Sequence, residues 1–159
     1  MVVDQEDADH VGILLRRTNT DRNFGAPPAP PGARSVEARG VRVLVVDASA
    51  RLRERLSARL AERGHLVVGE ADTAAGAVAA AVALGPDAIV ADVLLRDRHR
   101  LELVAALRVV RPDAILVVLT NAAAYREHCL ALGADCFLDK SVAFDSVAEL
   151  LRRREVARG

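Results

Sequence analysis

From Val41 onward the chain alternates between short apolar runs and longer stretches whose apolar residues recur every three or four positions. Val41 to Val46 (VRVLVV) is a β-branched run closed by Asp47, and it predicts a strand. Ser49 then stands as an N-cap ahead of Leu52, Leu56 and Leu60 at helical spacing, and Gly64 ends that helix. Leu66 to Ala71 predicts a second strand, and the Ala-rich Thr73 to Leu84 a helix stopped by Gly85 and Pro86. Asp87 to Ala91 predicts a third strand, ending at Asp92, and Leu101 to Val110 a helix that stops before Pro112. Ala114 to Leu119 predicts a fourth strand, ending at Thr120, and Ala122 to Leu132 a helix stopped by Gly133. Cys136 to Asp139 predicts a fifth strand, ending at Lys140. Ala143 to Arg154 predicts a last helix with Val147, Leu150 and Leu151 inward. Five strand–helix units imply a parallel sheet with helices on both faces. The nearly continuous apolar strands agree, because such a sheet is buried on both sides. Right-handed crossovers then leave a doubly wound α/β sandwich.

The first 40 residues break this pattern. Their GAPPAPPGA segment (residues 25–33) favours extended, solvated backbone and forbids a helix or a central strand. Residues 1–40 therefore read as a disordered, Pro-rich N-terminal tail, and 41–155 as one domain. A short helical turn around Val11 to Arg17 is the alternative to plain disorder there. About 115 residues suit one compact domain. The formal net charge of +0 gives no reason to expect a nucleic-acid partner. No segment is apolar for long enough to cross a membrane. Asp4, Glu6, Asp7 and Asp9 stand where a secretory signal needs positive charge, so the expected location is cytoplasmic. The two cysteines, Cys129 and Cys136, match no metal-ligand or redox spacing and read as small core residues. His10, His65, His99 and His128 are scattered without ligand spacing and read as solvent-facing or packing residues.

In open α/β sheets, ligands sit at the carboxyl ends of the strands. Those ends carry Asp47, Asp92, Thr120 and Lys140, each directly after an apolar strand. One polar residue there is ordinarily a turn or a cap. Four from four strands make a chemical arrangement that suits phosphoryl transfer to a carboxylate. Asp92 would be the nucleophile. A divalent cation that prefers oxygen ligands, Mg²⁺, would screen the charge from one side with Asp47 helping to hold it. Lys140 would pair with a phosphoryl oxygen from the other side, and Thr120 would hydrogen-bond the attached group.

Four segments carry a resemblance: VLVVDAS around Asp47, PDAIVADVLLRD around Asp92, AILVVLTN around Thr120 and LGADCFLDKS around Lys140. Together they resemble the receiver domain of two-component response regulators, over about two-thirds of the chain. The run from Thr120 to Leu151 is further similar to short receivers without an output domain. The resemblance implies a flavodoxin-like (βα)5 sandwich with a five-stranded parallel sheet of order 2-1-3-4-5. It implies Asp92 as phosphoacceptor, with Thr120, Lys140 and Phe137 as catalytic and switch residues. Asp47, Asp92 and the backbone carbonyl of Leu94 are the implied Mg²⁺ ligands. The implied partners are a sensor histidine kinase or histidine phosphotransfer protein and a downstream protein. Neither direct DNA binding nor a membrane is implied, and homodimer formation is left open. The chain is read as a signalling protein and not as an enzyme, beyond its own phosphotransfer and dephosphorylation.

The chain departs from the family pattern in places that bear on activity. Receivers usually carry two adjacent acidic residues after the first strand, and here Asp47 is followed by Ala48. The lost carboxylate weakens the expected Mg²⁺ site. The second reading is therefore a pseudo-receiver, an interaction module with weak or no phosphorylation. Arg96 and Arg100 replace a frequent Pro and Gly in a basic loop, Ser141 replaces the usual Pro after Lys140, and Asn121 follows Thr120. A dinucleotide-binding enzyme would share the fold class, but it needs a Gly-rich turn where this chain has Asp47-Ala48-Ser49-Ala50.

Overall fold

The structure, a computed structural model, describes residues 13–14, 40–97 and 100–158. One six-stranded sheet runs through it in the order β1-β3-β2-β4-β5-β6. The strands are β1 (Ile13–Leu14), β2 (Arg42–Val46), β3 (Leu66–Ala71), β4 (Ala88–Ala91), β5 (Ile115–Thr120) and β6 (Cys136–Asp139). The pairings from β3 to β6 are parallel, and counted by themselves these five strands have the order 2-1-3-4-5. The expected flavodoxin-like sandwich is the observed one. β1 is an addition: it pairs antiparallel with β3, Ile13 opposite Ala71 and Leu14 opposite Glu70. It falls inside the stretch read as a tail and at the place of the suggested helical turn. Apart from Gly40, the remainder of that stretch lies outside the described residues.

The helices are α1 (Ala50–Glu62), α2 (Ala74–Leu84), α3 (Arg100–Val110), α4 (Arg126–Ala131), α5 (Lys140–Ala143) and α6 (Val147–Arg158). Alternation along the strands feeds two cores. Leu44 and Val46 of β2 and Leu116 and Val118 of β5 face α2, α3 and α4. Val43 and Val45, with Ile115, Val117 and Leu119, face α1 and α6. Burying both faces explains why these strands are apolar at consecutive positions.

Helix ends follow local chemistry. Ser49 and Thr73 cap α1 and α2, accepting from the N–H of Leu52 at 3.3 Å and of Gly76 at 3.0 Å. Gly85 ends α2 with φ 55°, a left-handed conformation that costs other residues a Cβ clash. Three expectations shift. The buried face of α1 is Arg53, Leu56, Ser57 and Leu60, so Leu52 lies beside the inner stripe and not on it. The helix expected from Ala122 starts as a 3₁₀ turn (Ala123–Tyr125) before α4. No side chain caps that end, so its first amides are satisfied by the tighter turn. The last helix is replaced by α5, a 3₁₀ turn (Phe144–Ser146) and α6. The chain turns helical early because Asp139 accepts from the Ser141 N–H at 2.8 Å and its hydroxyl at 2.6 Å. Those bonds hold the exposed Asp139 carboxyl below its ordinary value.

Candidate functional site

Strands β2, β4, β5 and β6 deliver Asp47, Asp92, Thr120 and Lys140 to one edge of the sheet. The ladder continues one residue past each of the central strands. The Asp47 N–H donates to the Ala71 carbonyl at 3.0 Å, and the Asp92 N–H to the Val46 carbonyl at 2.9 Å. Both carboxylate residues are therefore fixed at the backbone before their side chains make any contact. Asp92, Asp47 and Thr120 are all buried, Thr120 completely.

Lys140 Nζ lies 2.5 Å from Asp92 Oδ2 and 2.5 Å from Asp47 Oδ2. Thr120 Oγ1 donates to Asp92 Oδ1 at 2.6 Å, and the Leu94 N–H donates to the same oxygen at 2.9 Å. Asp47 Oδ1 accepts from the Ser49 N–H at 2.8 Å. Every oxygen of the two carboxylates thus has a donor. Burial alone would pull the Lys140 ammonium down. Hydrogen bonds to Asp47 and Asp92 and their charge outweigh it, and the group stands above its ordinary value. Two carboxylates and one ammonium leave a net negative pocket.

The donor set suits one oxygen-seeking divalent cation. Two carboxylates share the Lys140 ammonium, and the backbone of Leu94 adjoins them. Among the described residues no group of three or more His, Cys, Asp or Glu side chains gathers as metal ligands. The position that would add a third carboxylate is Ala48, which is partly buried against the α2-side core. Lys140 also competes for the same oxygens.

Phe137, on β6, is turned into the core beneath α4 and is 7% exposed. Arg126 stacks over its ring at 5.9 Å from the centroid. Asn121 is exposed. The Lys140–Ser141 peptide is trans. His65 is a packing residue: Nδ1 accepts from the Val41 N–H at 3.1 Å, and Nε2 lies 2.8 Å from the Ala148 carbonyl. Cys129 is buried, which pushes its thiol up, and both cysteines are free.

The sequence pattern did not point to two further groups beside the pocket. Arg53 Nη1 donates to the Asp47 carbonyl at 2.6 Å, and its Nε lies 3.3 Å from Glu70 Oε1, with both side chains less than a tenth exposed. A charged residue on the helix stripe that also carries Leu56 and Leu60 was the available signal. Asp97 reaches back from the loop after Asp92 and accepts from the N–H groups of Ala74 and Ala75 at 2.9 and 3.1 Å. Arg96, exposed, turns to Asp72 at 3.6 Å. The loop after Asp92 is thereby tied to the start of α2. Arg98, His99 and the Arg100 side chain lie outside the described residues.

Comparison with known proteins agrees with the geometry. The chain is 35% identical over 124 residues to the transcriptional regulatory protein TcrA of Mycobacterium tuberculosis, covering 77% of this chain and 49% of that one. It thus spans about half the length of the curated relatives it matches. A response regulator protein from Burkholderia pseudomallei, crystallised with a phosphorylated aspartic acid, calcium ion and citrate, superposes with a TM-score of 0.62 at 27% identity. That match covers 75% of each chain. The response regulator domain of Thermotoga maritima CheB superposes with a TM-score of 0.62 at 29% identity, covering 75% of this chain and 96% of that one. The profile of the response regulator receiver domain matches residues 43–152. With the sheet order, the strand-end residues and the sequence profile in agreement, the chain belongs to the receiver-domain family of response regulators.

Proposed function

We propose that Asp92 is the phosphoacceptor of a two-component relay, and that the chain signals by docking a downstream protein. The observation that carries this is the engagement of the buried Asp92 carboxylate by Thr120 at 2.6 Å and Lys140 at 2.5 Å. A carboxylate oxygen attacks phosphorus, the bond to the donor's histidine nitrogen breaks, and the new acyl phosphate carries added negative charge. Lys140 already holds an ammonium there to meet that charge, and the Thr120 hydroxyl can turn its hydrogen bond to a phosphoryl oxygen. Asp47, Asp92 and the Leu94 carbonyl would hold Mg²⁺, which supplies further screening when bound, weakened by Ala48. The donor would be a sensor histidine kinase or a histidine phosphotransfer protein. The +0 net charge supports docking to protein and not direct contact with DNA. Treatment with acetyl phosphate and Mg²⁺, followed by mass spectrometry, should place one phosphoryl group on Asp92 and none on Asp92→Asn. Modification that survives the substitution would sink the assignment.

A second reading has its own support. The third carboxylate is missing at Ala48, and Lys140 bridges the two that remain. A pocket so satisfied suits a pseudo-receiver that binds partners without efficient phosphorylation. The same experiment decides between them: no phosphoryl uptake by the wild-type chain at any Mg²⁺ concentration favours this one.

A further inference from the structure

Asp47 is held by its backbone from two sides, one hold coming directly from the end of β3 and the other from Arg53 of α1, which is itself paired with that end. Its N–H donates to the Ala71 carbonyl at 3.0 Å. Its own carbonyl accepts from Arg53, which is paired with Glu70 at 3.3 Å. β1 pairs with those same two residues, Ile13 with Ala71 and Leu14 with Glu70. From this juxtaposition we propose that the N-terminal segment around Ile13–Leu14 is an intramolecular regulator of the acidic pocket. Docked on the edge of β3, it steadies Glu70 and Ala71 and through them Asp47. Undocked, it lets that corner of the pocket loosen.

The edge is built to take such a strand. Exposed edges are ordinarily guarded by charge. The one charged residue of β3 is Glu70, and it is turned inward to Arg53. A bulge at Val68, where the register against β2 skips a residue, breaks the strand and leaves Gly69 to Ala71 as the regular stretch beside the pocket. A short partner therefore suffices. β1 also lies against α2, which holds only Ala, Gly, Val and Leu from Ala74 to Leu84 and leaves Val82 65% exposed. Residues 11–15, VGILL, are the longest stretch before the proline segment without a polar or charged residue.

A two-residue strand would not hold by itself. Residues 15–39 tether it to β2, and a tether of that kind keeps it at an effective concentration on the order of millimolar. The docking is then weak enough to be reversed and local enough to persist, which a regulator requires.

The inference rests on the phosphoacceptor reading for its consequence, and the test separates the two. Full-length wild type is compared with Leu14→Pro and with the double variant Ile13→Gly/Leu14→Pro, both of which remove the N–H that faces Glu70, and with Asn19→Pro as a control. Amide exchange in residues 66–73 and in 47–49 should be on the order of tenfold faster in the first two variants, with β5 unchanged. Phosphorylation of Asp92 across a Mg²⁺ series should shift to higher Mg²⁺ in the same two. Unchanged exchange in 66–73 overturns the docking. Faster exchange there with 47–49 unchanged overturns the link to Asp47. Protection that grows with protein concentration shows a strand supplied by a second copy and overturns the intramolecular assignment. If the wild type takes no phosphoryl group, the phosphoacceptor reading fails, and the exchange measurements decide the inference without it.

Discussion

Lys140 places one ammonium between Asp47 and Asp92, and the consequences of removing it follow from charge alone. In Lys140→Met the aliphatic stem is largely conserved, while two buried carboxylates lose their shared cation. Stability at neutral pH should fall by about 1–3 kcal/mol. The loss should shrink as pH falls, because acid neutralises carboxylates and removes the repulsion between them. Melts of both proteins between neutral and acid pH measure this; a constant difference would show that Lys140 acts through packing. On the alkaline side the lysine itself sets the limit. A lysine whose folded pKa is raised keeps its contribution up to its ordinary value of 10.5 and loses it as pH rises through the folded value. The Lys140-dependent part of the stability should therefore also vanish in strongly alkaline solution, and be largest between the acid and the alkaline limits. Ala48→Asp tests the missing ligand. A third carboxylate should tighten Mg²⁺ binding by an amount on the order of 1–3 kcal/mol, roughly ten- to a hundredfold. It should also lower the melting temperature without Mg²⁺ through like-charge repulsion. Identical Mg²⁺ responses in Ala48→Asp and wild type would mean that position 48 does not face the cation.

At the scale of elements, strand ends were easier to read than side-chain links between elements. A β-branched run followed by one polar residue marks a strand end locally, so Asp47, Asp92, Thr120 and Lys140 were all legible as strand-end residues. The Arg53–Glu70 pair joins α1 to β3, and nothing in the spacing of either segment announces the other. Its energetics give a test. Glu70→Gln leaves Arg53 buried without its anion and should cost about 3–5 kcal/mol, while Arg53→Met with Glu70→Leu should cost far less. Denaturant melts of the single and double variants would measure the gap, and equal losses would mean that the pair acts through shape. Asp97 is the same kind of link, since a loop residue caps a helix that precedes it in the chain. Asp97→Ala should destabilise by about 1 kcal/mol, the ordinary worth of such a cap. A loss no larger than that of an exposed loop substitution would show that the cap carries no weight.

At the scale of the whole molecule, the cores are drawn from α1, α2, α3, α4 and α6 and the five parallel strands, and the described contacts of β1 are at the edge. A chain lacking residues 1–39 should accordingly fold and melt cooperatively, with its losses confined to the exchange of β3 and Asp47; precipitation or a collapse of the melting temperature would show that the segment is part of the core. The sequence by itself determined the five strand–helix units, because apolar periodicity and glycine or proline stops are local properties of the chain. It also determined which residue types stand at the strand ends. The order 2-1-3-4-5 came with the family resemblance, since pattern alone does not rank strands in a sheet. Tertiary structure decided what depends on partners distant in sequence. Lys140 bridges both carboxylates because β2, β4 and β6 converge at one edge. Arg53 is buried because Glu70 faces it, and Ile13–Leu14 forms a strand because the edge of β3 is open there. A two-residue strand, a buried ion pair and a shared ammonium are each unfavourable or unstable in isolation, so no local reading of the chain could have shown them.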